Sequence, residues 1–381
     1  MPVMSTTPVG QWKRWCAVVS VATGIFAIVT TEILPIGLLT SIGGSFAVSD
    51  GTAGLLMTMP GFLAAVAAPV VTVVTARVDR RIMLCALMAL LTLANVVTAL
   101  APDYRVLLVA RVVVGVVIGG FWSIGAGLGA RLVPGSGPRA TAVIFSAVPL
   151  GSVLGVPAGT LLGELAGWRV AFAVVAVLSA VVLVALPVVL PPLPPVRATD
   201  LRVLRTSLRG HGTRAALLVT FLVVLAHFGA YTYVRPFLEQ VTGLSGTAVT
   251  AVLLLYGTAG VVGNFLVGRH GFGPAATLLA ASTALLPFLG RWDAGAVALL
   301  VVWGLAYGAV PVCSQVLFTK AVPDAPEAAS VLFTASFQAT IGVGALAGGA
   351  VLDHASPSAV MLLGGGVAAL AVVAIKKTAP R

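Results

Sequence analysis

A run of about twenty apolar residues that keeps recurring constrains this chain more than any other feature. A helix rises 1.5 Å per residue, so about 20 residues cross the roughly 30 Å hydrocarbon layer of a bilayer. Twelve such segments follow one another, at about 15–39, 52–75, 82–100, 105–131, 139–163, 170–190, 215–238, 247–268, 274–290, 294–318, 328–351 and 357–375. Backbone groups in lipid have no water to pair with, so each segment must satisfy its own hydrogen bonds as a helix. The runs are continuous and not ten-residue alternations, which excludes an outer-membrane barrel.

Composition agrees. Only 9% of the 381 residues are charged, against about 25% in a soluble domain. The expectation is an all-α, multi-pass membrane protein. The net charge of +11 matters less than where the 22 Lys and Arg fall. With the N-terminus in the cytoplasm, 17 of them lie on that side. Four (Arg105, Arg169, Arg235 and Arg291) lie on the other, and Arg111 is inside a span. The positive-inside rule then puts both termini in the cytoplasm, and the pattern is a topology signal with no nucleic-acid footprint. The first span has no small-residue cleavage site and reads as an anchor helix, not a cleaved signal. Cys16, Cys85 and Cys313 all sit in apolar spans, without disulfide or metal spacing. A phosphate-binding G-x-x-x-x-G-K-[ST] loop is missing, which argues against ATP-driven transport. The clustered acid/base or metal set of a membrane enzyme is missing too. Neither a cofactor nor enzymatic activity is expected.

The chain divides in the middle. Pro191, Pro192, Pro194 and Pro195 open a basic stretch that runs to Arg214, the longest polar connection present. The expected organisation is a six-helix bundle over 1–190, a cytoplasmic linker over 191–214 and a second six-helix bundle over 215–381. The halves look like repeats. Residues 138–147 (PRATAVIFSA) match 326–335 (PEAASVLFTA) at an offset of 188, while Arg131, Pro134, Gly155, Gly159 and Glu164 match Lys320, Pro323, Gly344, Gly348 and Asp353 at 189. Parallel repeats of this kind bind substrate between the halves near the midplane and alternate access by rocking.

Few polar residues stand inside the spans. Glu32 is the carboxylate placed well within one, and ionisable groups at that depth usually mark an ion or substrate pathway. It lies about 8 Å below the outer edge of the first span, and Arg111 lies about 9 Å into the fourth from the same side. The pair can be read as a proton site, as a static ion pair, or as a glutamate that snorkels outward. Gly151, Gly155, Pro157 and Gly159 give the fifth span a flat face with a proline, suited to a bend or to close packing. Asp79, Arg80 and Arg81 follow the second span, as a latch at a helix junction or as a basic anchor. Trp122, His227, Tyr231, Trp303, Tyr307, Gln315 and Gln338 are aromatics and amides that could line a cavity or simply pack.

Over essentially its whole length the chain resembles the major facilitator superfamily, and within it the drug:proton antiporter branch with twelve spans. Residues 31–39 (TEILPIGLL) resemble the first helix of bacterial sugar efflux transporters and purine nucleoside exporters. Residues 121–124 (FWSI), 131–134 (RLVP) and 155–159 (GVPAG) extend the likeness. The family's loop motif G-x-x-x-D-R-x-G-R-R is reduced here to Asp79-Arg80-Arg81, with Thr75 in place of the first glycine. The resemblance implies two pseudo-symmetric bundles whose first, fourth, seventh and tenth helices line the cavity. It assigns Glu32 and Arg111 to proton coupling, Asp79, Arg80 and Arg81 to a cytoplasmic gate, and the glycine-proline stretch to an antiporter motif. It implies a monomeric, proton-coupled exporter of a sugar, nucleoside or drug in the bacterial plasma membrane, with drug resistance or sugar transport as its setting. Proton-coupled uptake of a similar solute is the alternative.

Overall fold

The computed structural model describes residues 11–75, 77–125, 128–133, 135–194, 205–266, 272–323 and 325–378. Pro134 and residues 195–204 of the expected linker lie outside them. The described residues are helical, with no strand among them. Twelve helices are long and apolar enough to cross a membrane: α1 Trp12–Phe46, α2 Asp50–Val74, α3 Arg80–Leu100, α4 Tyr104–Trp122, α5 Arg139–Ala166, α6 Trp168–Val189, α7 His211–Tyr231, α8 Gly246–Leu266, α9 Phe272–Leu289, α10 Asp293–Ala321, α11 Ala328–His354 and α12 Pro357–Lys377. The count and order match the sequence expectation.

Several boundaries differ for local reasons. Helix α1 extends well past position 39, to Phe46. Helix α7 stops at Tyr231, seven residues short of the expected 238, and the chain restarts as a short turn over Val234–Phe237 and a π turn over Leu238–Thr242. Pro236 sits in that first turn, where its missing N–H costs little. The fourth span ends as a helix at Gly125, and a separate turn covers Leu128–Leu132 instead of a continuous run to 131. Inside α5 the residues Gly151–Gly155 form a π turn just before Pro157.

The two halves are laid out alike. The first span of each is the most buried, at 67% of its apolar stretch for α1 and 61% for α7, and the sixth is the least, at 33% for both α6 and α12. Exposed apolar side chains such as Val181, Val188 and Leu370 form the outer faces, as suits a surface bathed in hydrocarbon. The halves meet along α2–α11 and α5–α8. A Cβ on Gly61 would stand 2.7 Å from the Gln338 carbonyl, and one on Gly257 would stand 3.0 Å from the Val153 backbone. Small residues let these backbones approach closely, which is how membrane helices associate without a hydrophobic driving force.

Candidate functional site

Two prolines explain the centre of the first half. Proline cannot donate to the carbonyl four residues before it. Pro35 in α1 therefore leaves the Thr31 carbonyl free, and Pro60 in α2 leaves that of Leu56 free. Arg111 on α4 collects both. Its Nη1 donates to Thr31 O at 2.8 Å, its Nε to Leu56 O at 3.0 Å and its Nη2 to Glu32 O at 2.9 Å. The side chain is fully buried. The rigid fork of donors thus staples three helices together.

This corrects the expected pairing. Arg111 is next to Glu32, as the matched depths predict, but it holds the Glu32 backbone. Among the described residues no ion pair joins it to the carboxylate. The reason is that its donors are already directed at the proline-freed carbonyls. The Glu32 carboxylate instead accepts from Gln338 Nε2 of α11 at 3.0 Å, across the two halves. Glu32 is 7% exposed and Gln338 6%. The Gln338 carbonyl oxygen is buried with no partner among the described residues. Next to Glu32 in the chain, Thr31 Oγ1 accepts from Asn95 Nδ2 of α3 at 3.0 Å.

The second half contributes rings. Tyr307 of α10 lies face to face with His227 of α7, 6° from parallel. His227 stacks on Tyr231 at 4.9 Å, and Tyr231 stacks on Tyr256 of α8 at 4.4 Å. Trp303 stands edge-on to this column and donates from Nε1 to His227 Nδ1 at 3.0 Å. His227, Tyr231, Trp303 and Tyr307 are among the residues expected from the sequence; Tyr256 is not, and it stands on α8, outside the four helices that the resemblance puts around the cavity. Trp303 is also corrected. It is 0% exposed, so it backs the column and does not line open space. Tyr307 is half-buried on α10. Trp122 is half-buried against the apolar core of the first half, and Gln315 is half-buried on α10.

The glycine-rich face of α5 packs on α1 in register. A Cβ on Gly151 would meet Val29 at 3.0 Å, one on Gly155 would meet Thr30, and one on Gly159 would meet Leu34. Close packing and a local π turn before Pro157 coexist there. At the other loop, Asp79 caps α3 by accepting from Arg81 N at 2.7 Å, and it also accepts from Leu193 N at 3.0 Å. Arg81 donates to the Pro187 carbonyl, and Arg80 donates to the Thr75 carbonyl at 3.1 Å. The bonds of Asp79 and Arg81 therefore tie the first half to the segment leaving it and do not reach the second half.

The fastening is at the opposite end, where α1 terminates. Arg235, assigned from sequence only to a helix end, is 4% exposed. It donates to Glu239 at 2.8 Å, to Thr40 Oγ1 at 3.0 Å, to Glu164 at 3.2 Å and to the Gly37 carbonyl. Asp353 accepts from Gly51 N at 3.0 Å and from Ser49 Oγ at 2.8 Å, and Gln240 donates to Asp50 at 3.2 Å. Glu164 and Asp353, the carboxylates matched by the repeat, occupy corresponding places. Each faces a glycine that starts a helix of the other half, Gly246 for Glu164 and Gly51 for Asp353, so closely that a Cβ on either glycine would collide with the carboxylate. The clue in the sequence was the repeat itself, which paired these acids without saying what they touch.

Comparison with solved structures agrees with this architecture. The chain is similar to a bacterial homologue of the human lysosomal transporter Spinster, solved in an inward-facing, unoccupied conformation. The TM-score is 0.75 at 16% identity, over 97% of this chain and 96% of that one. It is also similar to the human organic anion transporter MFSD10 (TETRAN), with a TM-score of 0.70 at 18% identity, over 97% of this chain and all of that one. The sequence model described as Major Facilitator Superfamily matches residues 19–324. Twelve spans in two like halves, a central polar pair and a family match over most of the chain carry one conclusion: this is a member of the Major Facilitator Superfamily, a multi-pass membrane transporter of a small solute.

Proposed function

We propose that this transporter exports a small organic molecule in exchange for protons, with Glu32 as the proton site. The observation that carries the reading is the setting of that side chain. It is an almost fully buried carboxylate between the halves, hydrogen-bonded to one neutral amide and not neutralised by an ion pair. Ionisable residues in such places face pathways and relay protons. A solute bound between Glu32 and the aromatic column would compete with the proton for the same carboxylate. The bundles 1–190 and 215–381, joined through 191–214, would rock about it. Positive-inside counting makes the fastened end the outer one, so the conformation here is open toward the cytoplasm.

Stacked rings with a few hydroxyls and amides suit a flat or polyhydroxylated solute, so nucleosides, sugars and planar drugs lead the substrate classes. Export, the drug:proton antiporter branch and the bacterial plasma membrane are supported by the likeness of residues 31–39 and 155–159 to sugar and nucleoside exporters. The test is a flux screen in inverted vesicles with galactose, inosine and ethidium under an imposed pH gradient. Gradient-driven accumulation of one of them is expected, and Glu32→Gln should reduce it about 100-fold, the equivalent of roughly 2.7 kcal/mol. Accumulation that ignores the gradient, or that stays proton-coupled in Glu32→Gln, overturns the proposal.

A further inference from the structure

His227 is the other side chain at the centre whose charge could change near neutral pH, and the geometry around it is specific. It is 1% exposed and Trp303 is 0%. The indole Nε1–H points at Nδ1 at 3.0 Å. Indole nitrogen is a donor only. A ring nitrogen that accepts this bond carries no proton, so the proton of the neutral imidazole must sit on Nε2. Protonating Nδ1 would set two N–H groups against each other at that distance and break the bond.

The rest of the surroundings gives a second proton no support. The titratable side chains in ring contact with His227 are Tyr231, Tyr256 and Tyr307, from its own helix, α8 and α10. Phe228 meets it edge-on. No carboxylate is hydrogen-bonded to it among the described residues. The Glu32 carboxylate of α1 is hydrogen-bonded to Gln338 and not to the histidine. Nε2 has no hydrogen-bond partner among the described residues, and it is not one of the sealed polar atoms.

We propose that Trp303 is a positioning residue. Its indole N–H holds His227 in the single neutral tautomer with the proton on Nε2, which keeps the histidine out of proton traffic and leaves one fixed donor facing the solute. This deepens the transport reading and rests on it. Glu32 becomes the sole carrier, one proton per cycle, and the solute must offer an acceptor atom to Nε2–H. A ring nitrogen, carbonyl or hydroxyl would serve, whereas an ammonium group would not. A histidine that merely fills the core would need a satisfied hydrogen bond but no particular tautomer.

The experiment uses full-length protein with ¹⁵N-labelled histidine in bilayers. The chain has four histidines, and the His227 signals are identified by their loss in His227→Gln. In the wild type the expected result is a protonated Nε2 and an unprotonated Nδ1 that stay unchanged from pH 5 to pH 8. In Trp303→Phe the two tautomers should mix, so that both ring nitrogens report partial protonation. A wild-type His227 that is protonated on Nδ1, or that titrates between pH 5 and 8, overturns the proposal even if the tryptophan variant fails to fold. So does a Trp303→Phe spectrum identical to wild type. The two readings fail separately. A locked His227 with proton coupling that survives Glu32→Gln sinks the choice of proton carrier alone. A titrating His227 with coupling lost in Glu32→Gln sinks the lock alone.

Discussion

The centres of the two halves are built from opposite materials. In the first, a buried guanidinium and a buried carboxylate are set among carbonyls that prolines have released. In the second, four rings stack in a column with an indole at their edge. Both centres are anchored on the first span of their half, and the repeat would place like beside like. The difference suggests a division of labour, in which one half holds charge and the other offers flat, neutral surface. The first span of the second half presents His227 to its column, and a neighbour fixes its protons.

The sharpest way to break the contrast is to remove the anchor of the first half. Arg111→Met leaves three buried carbonyls to find partners, two of which proline has already deprived of an N–H. At roughly 1–3 kcal/mol for each orphan, a loss of about 3–5 kcal/mol is expected in detergent thermal unfolding. Arg111→Lys should recover only part of it, because a single ammonium cannot reproduce the fork. A loss below about 1 kcal/mol would mean that the first half is held together by packing, as the second is.

Arg235→Met comes next. It strips the outer fastening of its cation and leaves Glu164 and Glu239 unpaired. Removing one partner of a buried pair is costly, several kcal/mol where burial is complete, and less here because both carboxylates are partly exposed. The expectation is a shift of about 2 kcal/mol toward outward opening, read as a widened distance between spin labels at Asp103→Cys and Asp293→Cys in a background lacking Cys16, Cys85 and Cys313. An unchanged distance distribution would show that helix packing and the remaining hydrogen bonds hold the halves without Arg235. Gln338→Leu should act in the same direction but by about 1 kcal/mol, the worth of one hydrogen bond across the halves. It would sharpen the comparison by showing how far the charged half leans on its neighbour. Tyr256→Phe is the smallest. The ring stays in the column, so stability should change by less than about 0.5 kcal/mol, and any loss of flux for inosine would then report contact with the hydroxyl.

Hydropathy made the twelve spans legible, because crossing lipid leaves a chain little choice of length or conformation. Depth arithmetic brought Glu32 and Arg111 to one level. It could not supply the angle around each helix axis, and so it missed that the guanidinium turns to backbone. That outcome had a signal in the sequence, since Pro35 and Pro60 stand four residues after Thr31 and Leu56. Trp303 was misassigned for the same lack of angular information. The outer fastening was less accessible. Arg235, Glu164 and Asp353 meet residues of the other half, and which ends of two bundles touch depends on their relative tilt, which no local periodicity encodes. The repeat that matched Glu164 to Asp353 was the one trace of it.

The close approach of Gly51 to Asp353 and of Gly246 to Glu164 has a consequence in leverage. These contacts sit at the rim, and Glu32 sits near the fulcrum. From Glu32 to the end of α1 is about 21 Å along the helix. A tilt of roughly 10° about the middle would therefore carry the rim through about 4 Å, enough to part every hydrogen bond there together, while Glu32 and Gln338 would move far less. Packed contacts of this kind switch between discrete arrangements and do not stretch. The rim should thus release in one step and the carboxylate last of all, so that the outside solution reaches Glu32 only after the long arm has already swung.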